Sequence, residues 1–60
     1  MIASITIEMD NAAFEESNGS ELARILRRLA ERVDETERQK GDGEYLVDHN
    51  GNRVGVWEIS

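Results

Sequence analysis

The segment Asp48 to Asn52 (DHNGN) carries the side chains best suited to chemistry, because carboxylate and amide oxygens alternate along it. Alternate oxygen ligands are typical of calcium-binding loops, which also need a glycine at the sixth position and a bidentate glutamate at the twelfth. Here the glycine stands fourth, as Gly51, and the twelfth residue is Ile59. The same residues are typical of a hairpin turn, so the sequence predicts a turn and no metal site.

The rest of the sequence offers no set of residues typical of a zinc site or a catalytic centre. His49 is the only histidine and the chain has no cysteine, so neither a zinc ligand set nor a catalytic triad can form. The adjacent acids Glu15-Glu16 and Asp34-Glu35 fall in stretches expected to be exposed, where carboxylates do not form an enclosed acid–base pair. We therefore predict that the protein is not an enzyme and holds no cofactor or metal.

Four arginines form a second candidate site, namely Arg24, Arg27, Arg28 and Arg32. Their spacing places them on one side of a helix, and arginine is well suited to phosphate and carboxylate groups. On one interpretation this face binds nucleic acid or an acidic protein surface. On the other it is a solvated face with intrahelical ion pairs, such as that of Arg32 with Glu35. The net charge of −6 disfavours general binding to phosphate backbones.

Tyr45 and Trp57 supply a third candidate site, since tyrosine and tryptophan are enriched in protein-binding hot spots. Trp57 and Ile59 are predicted to share one face of a strand with Gly55, opposite Val54 and Val56, so both faces of that strand would be partly apolar. Gly55 is expected to leave a shallow depression beside them. On one interpretation Trp57 packs in the core. On the other, Tyr45, Trp57 and Ile59 form an intermolecular surface, first of all in a homodimer.

A helix from Ser20 to about Arg38 must position the arginines. Its apolar side chains recur at the spacing of one helical stripe, and charged residues fill the gaps. The stripe consists of Leu22, Ile25, Leu26, Leu29, Ala30 and Val33. We predict an N-cap at Asn18 or Ser20, and Gly41 as the residue that follows the helix.

Three strands are predicted to cover that stripe. Residues 1–8 alternate with period two, and two apolar runs, 44–48 and 53–59, flank an Asn-Gly hairpin signal. Asn11 is placed to cap a short turn that brings Phe14 to the core. The order β-α-β-β predicts one α+β domain over residues 1–60, a three-stranded antiparallel sheet with the third strand central and the helix on one face.

Two hairpin geometries fit the Asn-Gly signal. A two-residue type I′ turn would pair Val47 with Val54, whereas a type I turn with a G1 bulge would pair Leu46 with Val54. Asp48 stands at the first position, where type I turns prefer aspartate, and this favours the second geometry. The choice matters because a one-residue change of register exchanges the two faces of a strand.

The composition of the chain indicates where in the cell the protein is expected. The chain lacks cysteine, a basic leader segment and any apolar run long enough for a signal peptide or a membrane span. We therefore expect a cytoplasmic protein without a membrane partner.

Three runs of residues carry a resemblance to known proteins. They are ITIEMDNAAF (5–14), ELARILRRLA (21–30) and DHNGNRVG (48–55). Together they resemble short bacteriophage and prophage proteins for which no activity is established. The resemblance implies an accessory protein of a mobile element in a bacterial cytoplasm that binds a host or phage protein; acidic proteins of this kind sometimes mimic nucleic acid.

The residues and the resemblance together lead to one predicted function and one alternative. The first is a non-enzymatic protein-interaction module, a homodimer whose contact surface contains Tyr45, Trp57 and Ile59. The alternative is a small nucleic-acid-binding or regulatory protein that uses Arg24 and Arg28 on the helix.

Overall fold

The computed structural model describes residues 1–60 and places one helix on one face of a three-stranded antiparallel sheet. The strands are β1 (Ala3–Ile7), β2 (Gly43–Val47) and β3 (Arg53–Ile59), the helix is α1 (Asn18–Val33), and a 3₁₀ turn spans Ala12–Phe14. Strand β3 lies between β1 and β2 and is antiparallel to both. The predicted α+β fold, with the third strand central, is confirmed.

Six apolar residues form the buried core, namely Phe14, Ile25, Leu29, Leu46, Val54 and Trp57. The 3₁₀ turn brings Phe14 into this cluster because the Asn11 side chain accepts a hydrogen bond from the Ala13 N–H at 3.0 Å. The predicted Asn11 cap is therefore confirmed, and Phe14 is buried at the end of the core where α1 begins.

Helix α1 begins earlier than predicted. Its N-cap is Ser17, whose hydroxyl accepts a hydrogen bond from the Ser20 N–H, so the predicted caps at Asn18 and Ser20 are wrong. Both of those residues are helical, and Ser17 before them has the extended backbone of a cap, with φ −152° and ψ 94°.

The helix also ends earlier than predicted, at Val33. The Arg38 side chain supplies donors that a further helical turn would have supplied. Its guanidinium donates hydrogen bonds to the carbonyls of Val33, at 3.2 Å, and Arg32, at 2.8 Å. Carbonyls of a last helical turn lack their usual intrahelical donors, and a cation is favoured there. Gly41, with φ 96°, belongs to a separate turn before β2 and does not follow the helix.

The β2–β3 hairpin has the type I turn that Asp48 favours. The Gly51 N–H donates to the Asp48 carbonyl at 3.0 Å, and Gly51 lies in the left-handed region with φ 86°. The Asp48 N–H donates to the Asn52 carbonyl at 2.9 Å, and Val47 then pairs with Arg53.

A bulge one residue further on decides which side chains of β3 are buried. Leu46 pairs with Gly55, so the predicted pair of Leu46 with Val54 is wrong. Val54 is the extra residue of the bulge, and it joins Trp57 in the core, whereas Val56 is 38% exposed. The predicted separation of Val54 and Trp57 onto opposite faces fails because a bulge changes the alternation of the strand.

Gly55 is required by the close approach of β1. A Cβ atom at Gly55 would lie 2.0 Å from the Thr6 carbonyl oxygen. We expect Gly55→Ala to displace β1 and to lower the free energy of unfolding by about 1–3 kcal/mol, the usual cost of overpacking.

Urea denaturation followed by circular dichroism measures this effect. Gly19→Ala is the matched control, because a Cβ atom at Gly19 meets nothing within 4 Å. Alanine in a helix should leave stability unchanged or raise it. Equal stability of Gly55→Ala and wild type would contradict the close approach.

Candidate functional site

A buried carboxylate, that of Glu21, attaches the start of α1 to the β2–β3 hairpin. Arg24 donates to its two carboxylate oxygens at 2.7 and 3.1 Å, and the His49 N–H donates to it at 2.8 Å. The bonds from Arg24, together with that from His49, hold the pKa of Glu21 below its ordinary value although burial opposes this. Arg24 also reaches the Val47 carbonyl, at 3.4 Å, so both residues attach the helix to the β2 side.

The other end of the helix is attached to the same strand. Arg32 forms an ion pair with Glu44 of β2. All the side-chain hydrogen bonds and ion pairs between α1 and the sheet or its hairpin turn go to β2 or to that turn, and none goes to β1. The polar contacts therefore hold the helix over β2, at one side of the sheet.

A second buried carboxylate, that of Asp48, organises the turn. The N–H groups of Asn50 and Asn52 donate to it at 2.9 Å, and the Asn11 side chain donates at 2.7 Å. Burial raises the pKa of Asp48, but these hydrogen bonds outweigh it and the pKa lies below its ordinary value. Asp48 thus joins the segment after β1 to the hairpin and is fully engaged as a turn residue.

The position of the helix leaves an apolar groove of about 350 Å³ on the other side, between α1 and β1. Its walls are Ala3, Ile5 and Ile59 from the sheet and Leu26, Ala30 and Val33 from the helix. Arg38, after the helix, adds one charged group to the lining, with its guanidinium 5.6 Å from the centre of the Trp57 ring. Trp57 and Leu29 form its floor, and the buried indole N–H of Trp57 has no acceptor within the chain. We call this feature the α1–β1 groove.

The groove is open because β1 has no cover on its helix side. Ile5 pairs with the buried Trp57 on β3, yet the Ile5 side chain is 51% exposed. Across the groove Leu26 is 39% exposed. Leu26 belongs to the predicted apolar stripe of the helix, and neither Leu26 nor Ile5 was among the predicted contact residues. The available signal was the width of the helical stripe, because Leu26 and Ala30 lie to one side of its centre at Ile25 and Leu29.

The three predicted surface residues of the sheet do not lie together. Trp57 is 3% exposed and packs in the core, as the first of its two interpretations holds. Ile59 is half-buried on the same face and lines the α1–β1 groove. Tyr45 lies on the opposite face, 62% exposed, with the Arg53 guanidinium 4.0 Å from its ring centre.

Two of the four arginines on the helix form ion pairs and two do not. Arg24 and Arg32 pair with Glu21 and Glu44, so the predicted pairing of Arg32 with Glu35 is wrong. Arg28, like Arg27, is exposed and forms no ion pair. The arginine face therefore offers two unpaired guanidinium groups, which are few for binding a phosphate backbone.

Three further observations bear on the site. No group of three or more His, Cys, Asp or Glu side chains is arranged to hold a metal ion. The one α-helix lacks the length and apolar character that crossing a membrane requires. Comparison of the chain with known protein families, with curated proteins and with solved structures found no match.

Acid should destabilise the fold through Asp48. A carboxylate whose pKa is lowered by folding contributes stability above its unfolded pKa, about 3.9, and that stability is lost as the pH falls through the folded pKa. We expect Asp48→Asn to melt at a lower temperature than wild type at about pH 7. Its melting temperature should also fall less than that of wild type when the pH is lowered to about 3.

Thermal melts followed by circular dichroism at each pH measure this difference. Glu31→Gln is the matched control, since Glu31 is exposed and forms no ion pair. It should retain the wild-type dependence on pH. An Asp48→Asn variant with the same acid-induced loss as wild type would contradict the role given to Asp48.

Proposed function

We propose that this chain is a non-enzymatic protein-interaction module that works as a homodimer and makes its contact through the α1–β1 groove. The observation that carries the proposal is the exposure of Ile5 and Leu26, at 51% and 39%, on the two sides of one apolar groove. Exposed apolar patches of this kind mark interaction sites in soluble proteins. We take a second copy as the occupant because the surface that one chain exposes in excess is about what one partner of a small interface contributes.

The exposed area agrees with a dimer. The chain has a mass of 6.8 kDa and exposes 4532 Å². A folded monomer of that mass is expected to expose about 3,950 Å², so about 580 Å² is in excess. A small specific interface removes roughly 600 Å² from each partner. The excess surface of one chain is therefore about what one partner contributes.

The proposed homodimer is the one predicted from the sequence, with its contact at a different surface. Ile59 remains part of the contact as a wall of the groove. Tyr45 lies outside it, on the other face of the sheet, and Trp57 supports the groove from below. The predicted setting, an accessory protein of a mobile element in a bacterial cytoplasm that also meets a host or phage protein, stays a proposal that rests on the sequence resemblance.

Charge placed in the groove should separate the copies. We expect the wild type to sediment as a dimer at ~100 µM, and Ile5→Glu and Leu26→Glu to sediment as folded monomers, because each buries a charge in an apolar contact. Sedimentation velocity gives the mass, and circular dichroism checks that each variant is folded.

Tyr45→Glu is the matched control, since Tyr45 is exposed on the opposite face. It should stay a dimer. A wild-type monomer at ~1 mM, where even weak interfaces associate, would overturn the homodimer. A dimer dissolved by Tyr45→Glu and retained by Ile5→Glu would place the contact on the other face and overturn the groove.

A further inference from the structure

The free edge of β1 exposes unpaired backbone groups at Ala3, Ile5 and Ile7. The residues that flank the strand, Ile2 and Glu8, bond toward β3. Ile2 exchanges two hydrogen bonds with Ser60, the residue after β3, at 2.7 and 2.8 Å, and the Glu8 N–H donates to the Val54 carbonyl. Antiparallel pairing alternates, so even-numbered residues of β1 face β3 and odd-numbered residues face outward. Strand β1 is an outer strand of the sheet, and its first four residues are exposed.

The other edge of the sheet is protected. Along β2 the Arg24 guanidinium bonds the outward Val47 carbonyl, and the Arg32–Glu44 ion pair stands beside the strand. Charged side chains at an edge are a common defence against pairing with another chain. The β1 strand, ASITI, contains no charged residue and no proline. Of the two edges, β1 is thus the one suited to a second strand.

Resting on the homodimer proposed above, we propose that two copies join by their β1 strands, antiparallel about a two-fold axis at Ile5. The two three-stranded sheets then form one continuous six-stranded sheet with both helices on the same face. A two-fold contact requires the surface to match itself, and an uncharged edge strand does so without like charges in opposition. The floor of each α1–β1 groove then continues onto the partner's β1.

The axis lies at Ile5 because this register uses every outward group of the strand. Ala3 pairs with the partner's Ile7, Ile5 with the partner's Ile5, and Ile7 with the partner's Ala3, each pair exchanging two hydrogen bonds. Axes at Ser4 or Thr6 would leave one outward residue to pair with Met1 or Met9, which lie outside β1. The central register also sets the half-exposed Ile5 side chains against each other.

Disulfide trapping tests the register, because the chain has no cysteine of its own. With the axis at Ile5, Ser4 lies opposite the partner's Thr6 in a non-hydrogen-bonded pair, where Cα atoms are about 4.5 Å apart and a disulfide fits. Chains carrying Ser4→Cys or Thr6→Cys are oxidised singly and as an equal mixture, then run on non-reducing gels. We expect a covalent dimer in the mixture and little in either variant alone.

Every other outcome contradicts the proposal in a distinct way. Cross-linking of Ser4→Cys alone places the axis at Ser4, and of Thr6→Cys alone at Thr6. No cross-link in a protein that sediments as a dimer overturns edge pairing and leaves the proposed homodimer standing, whereas a monomer removes both. Glu58→Cys, on the same open face but on the central strand, is the control and should not cross-link.

Discussion

The position of the helix depends on two buried carboxylates, that of Asp48 in the hairpin turn and that of Glu21 in the helix. Asp48 accepts hydrogen bonds from the Asn50 and Asn52 N–H groups and so shapes the turn. In this turn the N–H of His49, which follows Asp48, points to Glu21 and donates to it. Glu21 lies in the first turn of α1, where the positive end of the helix dipole favours a carboxylate. A charge-assisted bond from Arg24 completes this arrangement. The start of the helix is therefore held at the turn end of β2.

One helix is too narrow to cover this sheet, so the position of the helix decides which strand is left exposed. Three strands at about 4.8 Å spacing occupy roughly 14 Å, whereas a helix with its side chains is about 10–12 Å across. One strand must be covered poorly, and the contacts of Glu21, Arg24 and Arg32 with the β2 side decide that it is β1. Ile5 therefore remains exposed although it stands on the inner face of the sheet. The groove follows from the polar contacts and from the size of the chain.

The sequence allowed the elements to be predicted because their signals are local. The apolar run that follows the Asn-Gly signal located β3 at the residues where it is found, and the helical stripe identified α1. The Asp48 and Gly51 turn chemistry selected the correct turn. The ends of α1 were harder, since Ser17, Asn18 and Ser20 are all good capping residues and the contact of Arg38 with the last helical carbonyls joins residues five and six positions apart.

The site depended on contacts that no local pattern contains. The bulge at Val54 arises from the pairing of β3 with β2, and it moved Val54 to the side of Trp57. Whether the helix covers β1 or β2 depends on the hydrogen bond from the His49 N–H to Glu21, two residues that are 28 positions apart in the sequence. The sequence thus indicated an apolar surface beyond the core, but the residues selected for it were Tyr45 and Trp57, whereas the exposed residues of the groove are Ile5 and Leu26.

The central claim is that β1 is left uncovered by the helix and is completed by a second copy. Amide hydrogen exchange of β1, measured by NMR at low and high protein concentration, tests it most directly. The claim predicts that the Ala3, Ile5 and Ile7 amides exchange fast in dilute protein and become protected at high concentration. The Ser4 and Thr6 amides, which face β3, should be protected at both. Fast exchange of the three odd-numbered amides at every concentration would contradict the claim.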